Sequence, residues 1–214
     1  MKSAGKAGEI EVKICGLTNL DDARAALDFG ADYLGFVIYR KSPRGITGTQ
    51  LRRMSDKLPG HTRAVGVFVD MPQSMVLRIA DECGLYAVQL HGRERPEEYR
   101  DVGLPVWRAV YLGDQGPAPK PREWDARRYL IDVKKAGSCT ATGLTADWDK
   151  AAEFAQKWPA MLAGGLNDGN IAAAIRKVQP LGVDVSSGVE REPGKKDVRK
   201  MESFIRRAKQ TPID

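Results

Sequence analysis

Histidine and cysteine are scarce in this 214-residue chain, with two and three copies respectively. Cys15, Cys83 and Cys139 are odd in number, far apart in sequence, and form neither a Cys-x-x-Cys pair nor a Cys/His cluster. That spacing argues against a disulfide scaffold and a zinc module, and fits a reducing, cytoplasmic setting. Aromatic residues are few, at 7%, and do not interleave with basic ones as nucleic-acid readers require. The longest apolar runs, Tyr33–Tyr39 and Ala160–Leu166, have seven residues each, far short of the roughly 18 that a membrane span needs. No apolar stretch follows the basic N-terminus as in a secretory signal, so residues 1–10 are expected to be a flexible extension. The 22 glycines and 12 prolines follow no period, which excludes collagen-like and low-complexity architectures.

Charge is unevenly spread. The chain carries 34 Lys/Arg against 28 Asp/Glu, a net +6, and eight Lys/Arg against four Asp/Glu fall between Arg191 and Asp214. That stretch places Val198, Met201, Phe204, Ile205 and Ala208 at helical spacing. Its charges therefore read as the wet face of a terminal amphipathic helix rather than a nucleic-acid patch.

Eight short apolar runs rich in β-branched residues recur at Glu11–Cys15, Tyr33–Ile38, Arg63–Val69, Ala87–Leu90, Val106–Val110, Arg128–Val133, Ala160–Gly164 and Gly182–Ser186. Helical segments separate most of them. In the first, Asn19 can cap, Leu20, Ala23 and Leu27 line one face, and Gly30 stops it. Only the fifth connection breaks the pattern, because Pro117, Pro119 and Pro121 forbid a regular helix there. Alternating strands and helices specify parallel β-α units with both sheet faces covered. A closed (β/α)₈ TIM barrel over residues 11–210, its fifth helix degenerate or replaced by a Pro-rich loop, satisfies the count without exposed edges; an open doubly wound sheet is the competitor.

In such a barrel the chemistry gathers where strands end. Cys15 stands beside Gly16 at the first exit, with Lys13 two residues back on the same face, an arrangement that favours a thiolate. Arg44, in a loop stiffened by Pro43, could hold a planar carboxylate with its fork. His91 ends the fourth strand and can contact a substrate or bond loop backbone; Arg108 lies on the fifth. Asp132 ends a hydrophobic strand, where a carboxyl group has either an ion-pair partner or an acid–base task. Gly164-Gly165 after the seventh strand and Ser186-Ser187 after the eighth suit a backbone phosphate cradle. Cys83 reads as a structural residue on an apolar helical face, and Cys139 as an exposed loop residue.

These segments together resemble the phosphoribosylanthranilate isomerase family of tryptophan biosynthesis. The resemblance rests on Val12-Lys13-Ile14-Cys15-Gly16, Lys41-Ser42-Pro43-Arg44, Gln89-Leu90-His91-Gly92, Leu130-Ile131-Asp132, Ala163-Gly164-Gly165-Leu166-Asn167, and Gly182-Val183-Asp184-Val185-Ser186-Ser187-Gly188-Val189-Glu190 with Pro193-Gly194-Lys195-Lys196-Asp197. It implies an Amadori rearrangement without metal or organic cofactor, with Asp132 as general acid and Cys15 as general base. It also implies Arg44, His91, Lys13 and Asp184 against the substrate, and Gly164, Gly165, Ser186 and Ser187 against its phosphate. The expected partner is a phosphorylated small molecule, not nucleic acid or membrane, and the assembly a monomer or homodimer. The sixth loop departs from the family pattern: Leu144 and Ala146 stand where Lys and Phe are usual, after the lead-in Gly137-Ser138-Cys139-Thr140. Competing readings are the ProFAR isomerase of histidine biosynthesis, which looks for Asp where Cys15 stands, and a non-catalytic phosphate-ligand binder on the same barrel.

Overall fold

The computed structural model describes residues 9–132 and 147–213. Eight parallel strands follow the expected runs: β1 (Glu11–Cys15), β2 (Tyr33–Ile38), β3 (Ala64–Phe68), β4 (Ala87–Leu90), β5 (Val106–Gly113), β7 (Arg128–Asp132), β8 (Ala160–Leu162) and β9 (Gly182–Val185). Each pairs with the next, and β9 pairs back onto β1, with Lys13 opposite both Tyr33 and Asp184. The sheet closes into a barrel, so each of the eight parallel strands has a neighbour on both sides.

Helices α1 (Leu20–Asp28), α2 (Gly48–Ser55), α3 (Gln73–Glu82), α4 (Trp148–Ala155), α5 (Ile171–Val178) and α6 (Val198–Gln210) cover the outside. The Asn19 side chain accepts the Asp22 N–H, as expected of a cap, and Thr47 and Gln50 close a reciprocal capping box on α2. These bonds satisfy first-turn donors that would otherwise be orphaned. Apolar side chains from the helices and the outer strand faces form one continuous shell, including Leu51, Ile79, Phe154, Ile175 and Phe204. None of the helices among the described residues is long and apolar enough to cross a membrane.

The strand period of two sends alternate residues inward. Tyr33, Val65, Ala87, Trp107, Leu130 and Met161 make one interior layer, and the Trp107 and Tyr33 rings meet edge-on with centroids 4.8 Å apart. At the strand N-termini, Arg128 and the Tyr33 hydroxyl both bond the Glu11 carboxylate. That end is plugged. Cys15, Val37 and Val67 lie in the next layer, toward the strand C-termini.

Four details differ from the sequence reading. The fourth connection carries only a 3₁₀ turn, Pro96–Tyr99, where a helix was expected; Pro105 and Gly103, at φ +74°, end the segment and buried Tyr99 replaces a helical face. The Pro-rich fifth connection is more ordered than a loop, because β6 (Gly116–Ala118) folds back antiparallel on β5 before a second 3₁₀ turn at Pro121–Glu123. Ile10 and Thr211, the residues that flank the expected span 11–210, are buried. Val198, assigned to the apolar face of α6, is exposed, and the helix docks through Met201, Phe204, Ile205 and Ala208.

Candidate active site

Cys15, Lys13 and Asp184 converge at the β1–β9 seam. Lys13 is fully buried, and its Nζ donates to Asp184 Oδ1 at 2.8 Å. Gly35 on β2 makes room for them: a Cβ there would lie 2.8 Å from both Cys15 Sγ and Lys13 Nζ. Burial pushes the Cys15 thiol above its ordinary pKa; the Lys13 cation opposes that and the Asp184 carboxylate reinforces it. Burial alone would lower the Lys13 ammonium, but Asp184 and Cys15 outweigh it and raise its pKa. The expected thiolate is therefore disfavoured in the resting site, and Lys13 meets Asp184 and Cys15 rather than the open mouth.

Across the barrel, a hydrogen-bonded chain runs from β4 to β7. Gln89 Nε2 lies 3.1 Å from His91 Nδ1, and His91 Nε2 lies 3.1 Å from Asp132 Oδ2. An amide nitrogen only donates, so His91 Nδ1 accepts and Nε2 carries the hydrogen that faces Asp132. Gln89 Oε1 is buried without a hydrogen-bond partner among the described residues. Arg108 points outward instead, stacked 4.7 Å from the Trp124 ring centroid and donating to the carbonyls of Leu90 and Gly92 on either side of His91. It braces the loop.

The loops after β8 and β9 form a cradle of backbone. Gly164 and Gly165 adopt φ of +85° and +66°, a left-handed pair that non-glycine residues resist. Asn170 Nδ2 donates to the Gly165 carbonyl, and the Asn167 N–H donates to Asn170 Oδ1. Gly188 presses this loop against the next, since a side chain there would overlap the Leu166 carbonyl. Gly188→Ala is expected to force the two loops apart and lower the thermal midpoint by about 2–10 °C, read from a melting curve.

Arg44 reaches the same mouth over Gly16, whose Cβ would collide with its Cδ at 2.6 Å and with Ser186 Oγ at 2.8 Å. The fork expected to be open to a carboxylate is partly taken: Nε and Nη2 bond Glu190 Oε1 and Oε2 at 2.7 and 2.6 Å. Glu190 opens β10 (Glu190–Glu192), which pairs with β11 (Lys195–Lys196) in a hairpin that follows β9 and a 3₁₀ turn at Ser187–Val189. Nη1 has no hydrogen-bond partner among the described residues, which leaves the Nη1/Nη2 edge available.

The chain from residue 12 to 207 matches the model of a family described as N-(5'-phosphoribosyl)anthranilate (PRA) isomerase. It belongs to the PRA isomerase family. A relative named N-(5'-phosphoribosyl)anthranilate isomerase from Pelobacter propionicus is 46% identical over 202 residues, covering 94% of this chain and 97% of its own. The crystal structure of phosphoribosyl anthranilate isomerase from Thermotoga maritima superposes with a TM-score of 0.82 at 38% identity, over 94% of this chain and 98% of that one. Another PRA isomerase structure, in complex with reduced 1-(o-carboxyphenylamino)-1-deoxyribulose 5-phosphate, gives 0.79 at 37% identity and the same coverage.

Against this PRA isomerase fold, several site residues had no role in the sequence reading. Gln89, Glu190 and Lys196 sit in segments that carried the resemblance, and Gly35 sits in the second apolar run. Lys196 was counted with the solvated charges of the terminal helix, yet it is 1% exposed and bonds the Cys15 carbonyl at 2.6 Å. Only the inward side of a strand or hairpin distinguishes such a residue, and a two-residue strand is too short to show a period. Cys83 ends α3, buried, with Sγ 3.6 Å from the Gly48 carbonyl. Gly137 to Ala146 of the divergent sixth loop, Cys139 included, lie outside the described residues. Among those residues, no three or more His, Cys, Asp or Glu side chains group as a metal site would require.

Proposed function

We propose that this member of the family converts N-(5'-phosphoribosyl)anthranilate to 1-(2-carboxyphenylamino)-1-deoxyribulose 5-phosphate, with Asp132 as general acid and Cys15 as general base. The observation that carries this reading is the placement of a carboxyl group and a thiol at inward-facing strand exits of β7 and β1, beside a glycine-lined backbone cradle.

Asp132 protonates the ribose ring oxygen, the bond from C1′ to that oxygen breaks, and the anilino nitrogen's lone pair forms a protonated Schiff base. Cys15 as thiolate then removes the proton from C2′, whose acidity the Schiff base raises, and the electrons move into a C1′–C2′ enolamine. Reprotonation at C1′ and loss of the 2′-hydroxyl proton give the ketone. His91 Nε2–H stabilises the carboxylate that Asp132 becomes. Half a turn of the Gln89 amide reverses the chain, so that Oε1 accepts Nδ1–H and His91 Nε2 accepts the proton of the carboxylic acid. The acid can thus be held in either state.

Lys13 and Asp184 act through Cys15: the ammonium stabilises the thiolate as it forms. Gly164, Gly165, Ser186 and Ser187 hold the phosphate, and the Nη1/Nη2 edge of Arg44 holds the anthranilate carboxylate. Anchoring at both ends fixes the ribose between acid and base. Arg44→Ala is expected to raise KM about 10- to 100-fold with a smaller change in kcat; an unchanged KM would place the carboxylate elsewhere. The function itself is tested by restoring growth without tryptophan to a host lacking this isomerase. Failure by a well-expressed chain would count against it.

A further inference from the structure

Lys196 takes no part in the acid–base chemistry, yet its ammonium is among the most deeply buried charges in the molecule. Its three N–H groups are fully used, on the Cys15 carbonyl at 2.6 Å, the Ser186 carbonyl at 3.0 Å and Glu190 Oε1 at 3.0 Å. Glu190 in turn grips Arg44 side-on. Burial works against the Glu190 charge, but the Arg44 fork and the Lys196 ammonium outweigh it and hold its carboxyl below the usual range. Burial lowers the Lys196 pKa and Glu190 works against that, while the three acceptors around its Nζ match the three donors of an ammonium. One carboxylate then lies between two cations, and the trio bears +1.

The surroundings do not cancel that charge. Asp22 accepts the Lys196 backbone N–H at 3.0 Å, while the Lys200 ammonium donates to the Glu190 carbonyl at 3.2 Å, adding one charge of each sign. Lys13 and Asp184, on the other side of Cys15, form a pair of their own. An Arg44–Glu190 pair without Lys196 would be neutral and would attract an incoming carboxylate weakly.

We propose that Lys196 is the positioning residue that makes the site selective for a ligand with a ring carboxylate: it offsets Glu190, so that Arg44, held side-on, presents a net cation through its free Nη1/Nη2 edge. This rests on the reading that Arg44 receives the anthranilate carboxylate. Lys196 itself touches no substrate. Its charge reaches the ligand through Glu190 and Arg44, and its bonds to Cys15 and Ser186 keep that recognition in register with the base and the phosphate cradle.

The test compares binding of reduced 1-(o-carboxyphenylamino)-1-deoxyribulose 5-phosphate with its counterpart lacking the ring carboxylate, by calorimetry. Lys196→Gln, which keeps N–H donors but no charge, is expected to narrow the preference for the carboxylated ligand about tenfold. The double variant Glu190→Gln with Lys196→Gln returns the trio to +1 and is expected to restore the preference. Equal weakening of both ligands by Lys196→Gln would make Lys196 merely structural and overturn the proposal. Loss of preference in the double variant would overturn it as well, even if the single variant does not fold. Arg44→Ala in the otherwise native chain separates the two ideas, because a preference that survives it refutes Arg44 as the carboxylate's partner, whatever Lys196 does.

Discussion

Asp132→Asn is expected to lower kcat by about 10²- to 10⁴-fold, with the circular dichroism spectrum and thermal midpoint essentially unchanged. The amide has the shape of the carboxyl group and keeps an oxygen to accept His91 Nε2–H, 3.1 Å away in the native site. What it loses is the proton that opens the ribose ring. Because Asp132 meets the substrate at the ring oxygen rather than at either anchoring end, KM should change much less than kcat. Steady-state kinetics at saturating substrate check this, and turnover within a few-fold of native would remove Asp132 from the acid's role.

Cys15→Ser should reduce kcat by about 10²-fold or more, since a hydroxyl is far harder to ionise than a thiol, and it should also change the shape of the pH profile. The working form of Cys15 is the deprotonated one, and burial raises its pKa. At neutral pH only a small fraction is thiolate in the free enzyme, so carboxymethylation of Cys15 by iodoacetate should climb with pH through and beyond the ordinary thiol range. Native kcat/KM needs Asp132 protonated as well as Cys15 deprotonated, so it should trace a bell. The serine variant loses the limb that Cys15 sets. The same shift bears on stability: the folded thiol keeps its proton at pH values where the unfolded one loses it. Its contribution is thus complete below the unfolded pKa and is lost as pH rises toward the folded one.

The barrel was readable because eight β-branched runs and their capped helices agree with one another, and β1, β2 and β4 have the bounds that their apolar runs suggested. Turn chemistry was less readable. Pro96 and Pro105 bound a connection too short and too broken for the helix that the alternation suggested, and the hairpin strand Gly116–Ala118 hid among prolines. At the site, Cys15, Arg44, Asp132 and the Gly164-Gly165 pair stood out because each is a polar or special residue at a strand exit. Glu190 and Lys196 did not, because their meaning depends on a three-dimensional pairing with Arg44 across 146 residues of sequence. Gly35 was silent for a different reason: the absence of a side chain is informative only once its neighbours, Cys15 and Lys13, are in place.

Burial adds to what position alone suggested for Lys13. A lysine two residues from a cysteine on the same face suggests a favoured thiolate, but the closed barrel puts Lys13 out of reach of solvent and ties it to Asp184. Its charge then acts on Cys15 at short range, where screening is weak. The +4 carried by the C-terminal stretch changes in the same way, since Lys196 belongs to the mouth and not to the solvated helix.

The most direct measurement is a steady-state assay of the native chain on freshly generated N-(5'-phosphoribosyl)anthranilate, with the ProFAR substrate of histidine biosynthesis run in parallel. Rapid turnover of the first and little or none of the second is expected, abolished together with the Asp132 and Cys15 side-chain functions. Tight binding of the product analogue without turnover, or turnover of the histidine-pathway substrate at an equal or greater rate, would contradict it.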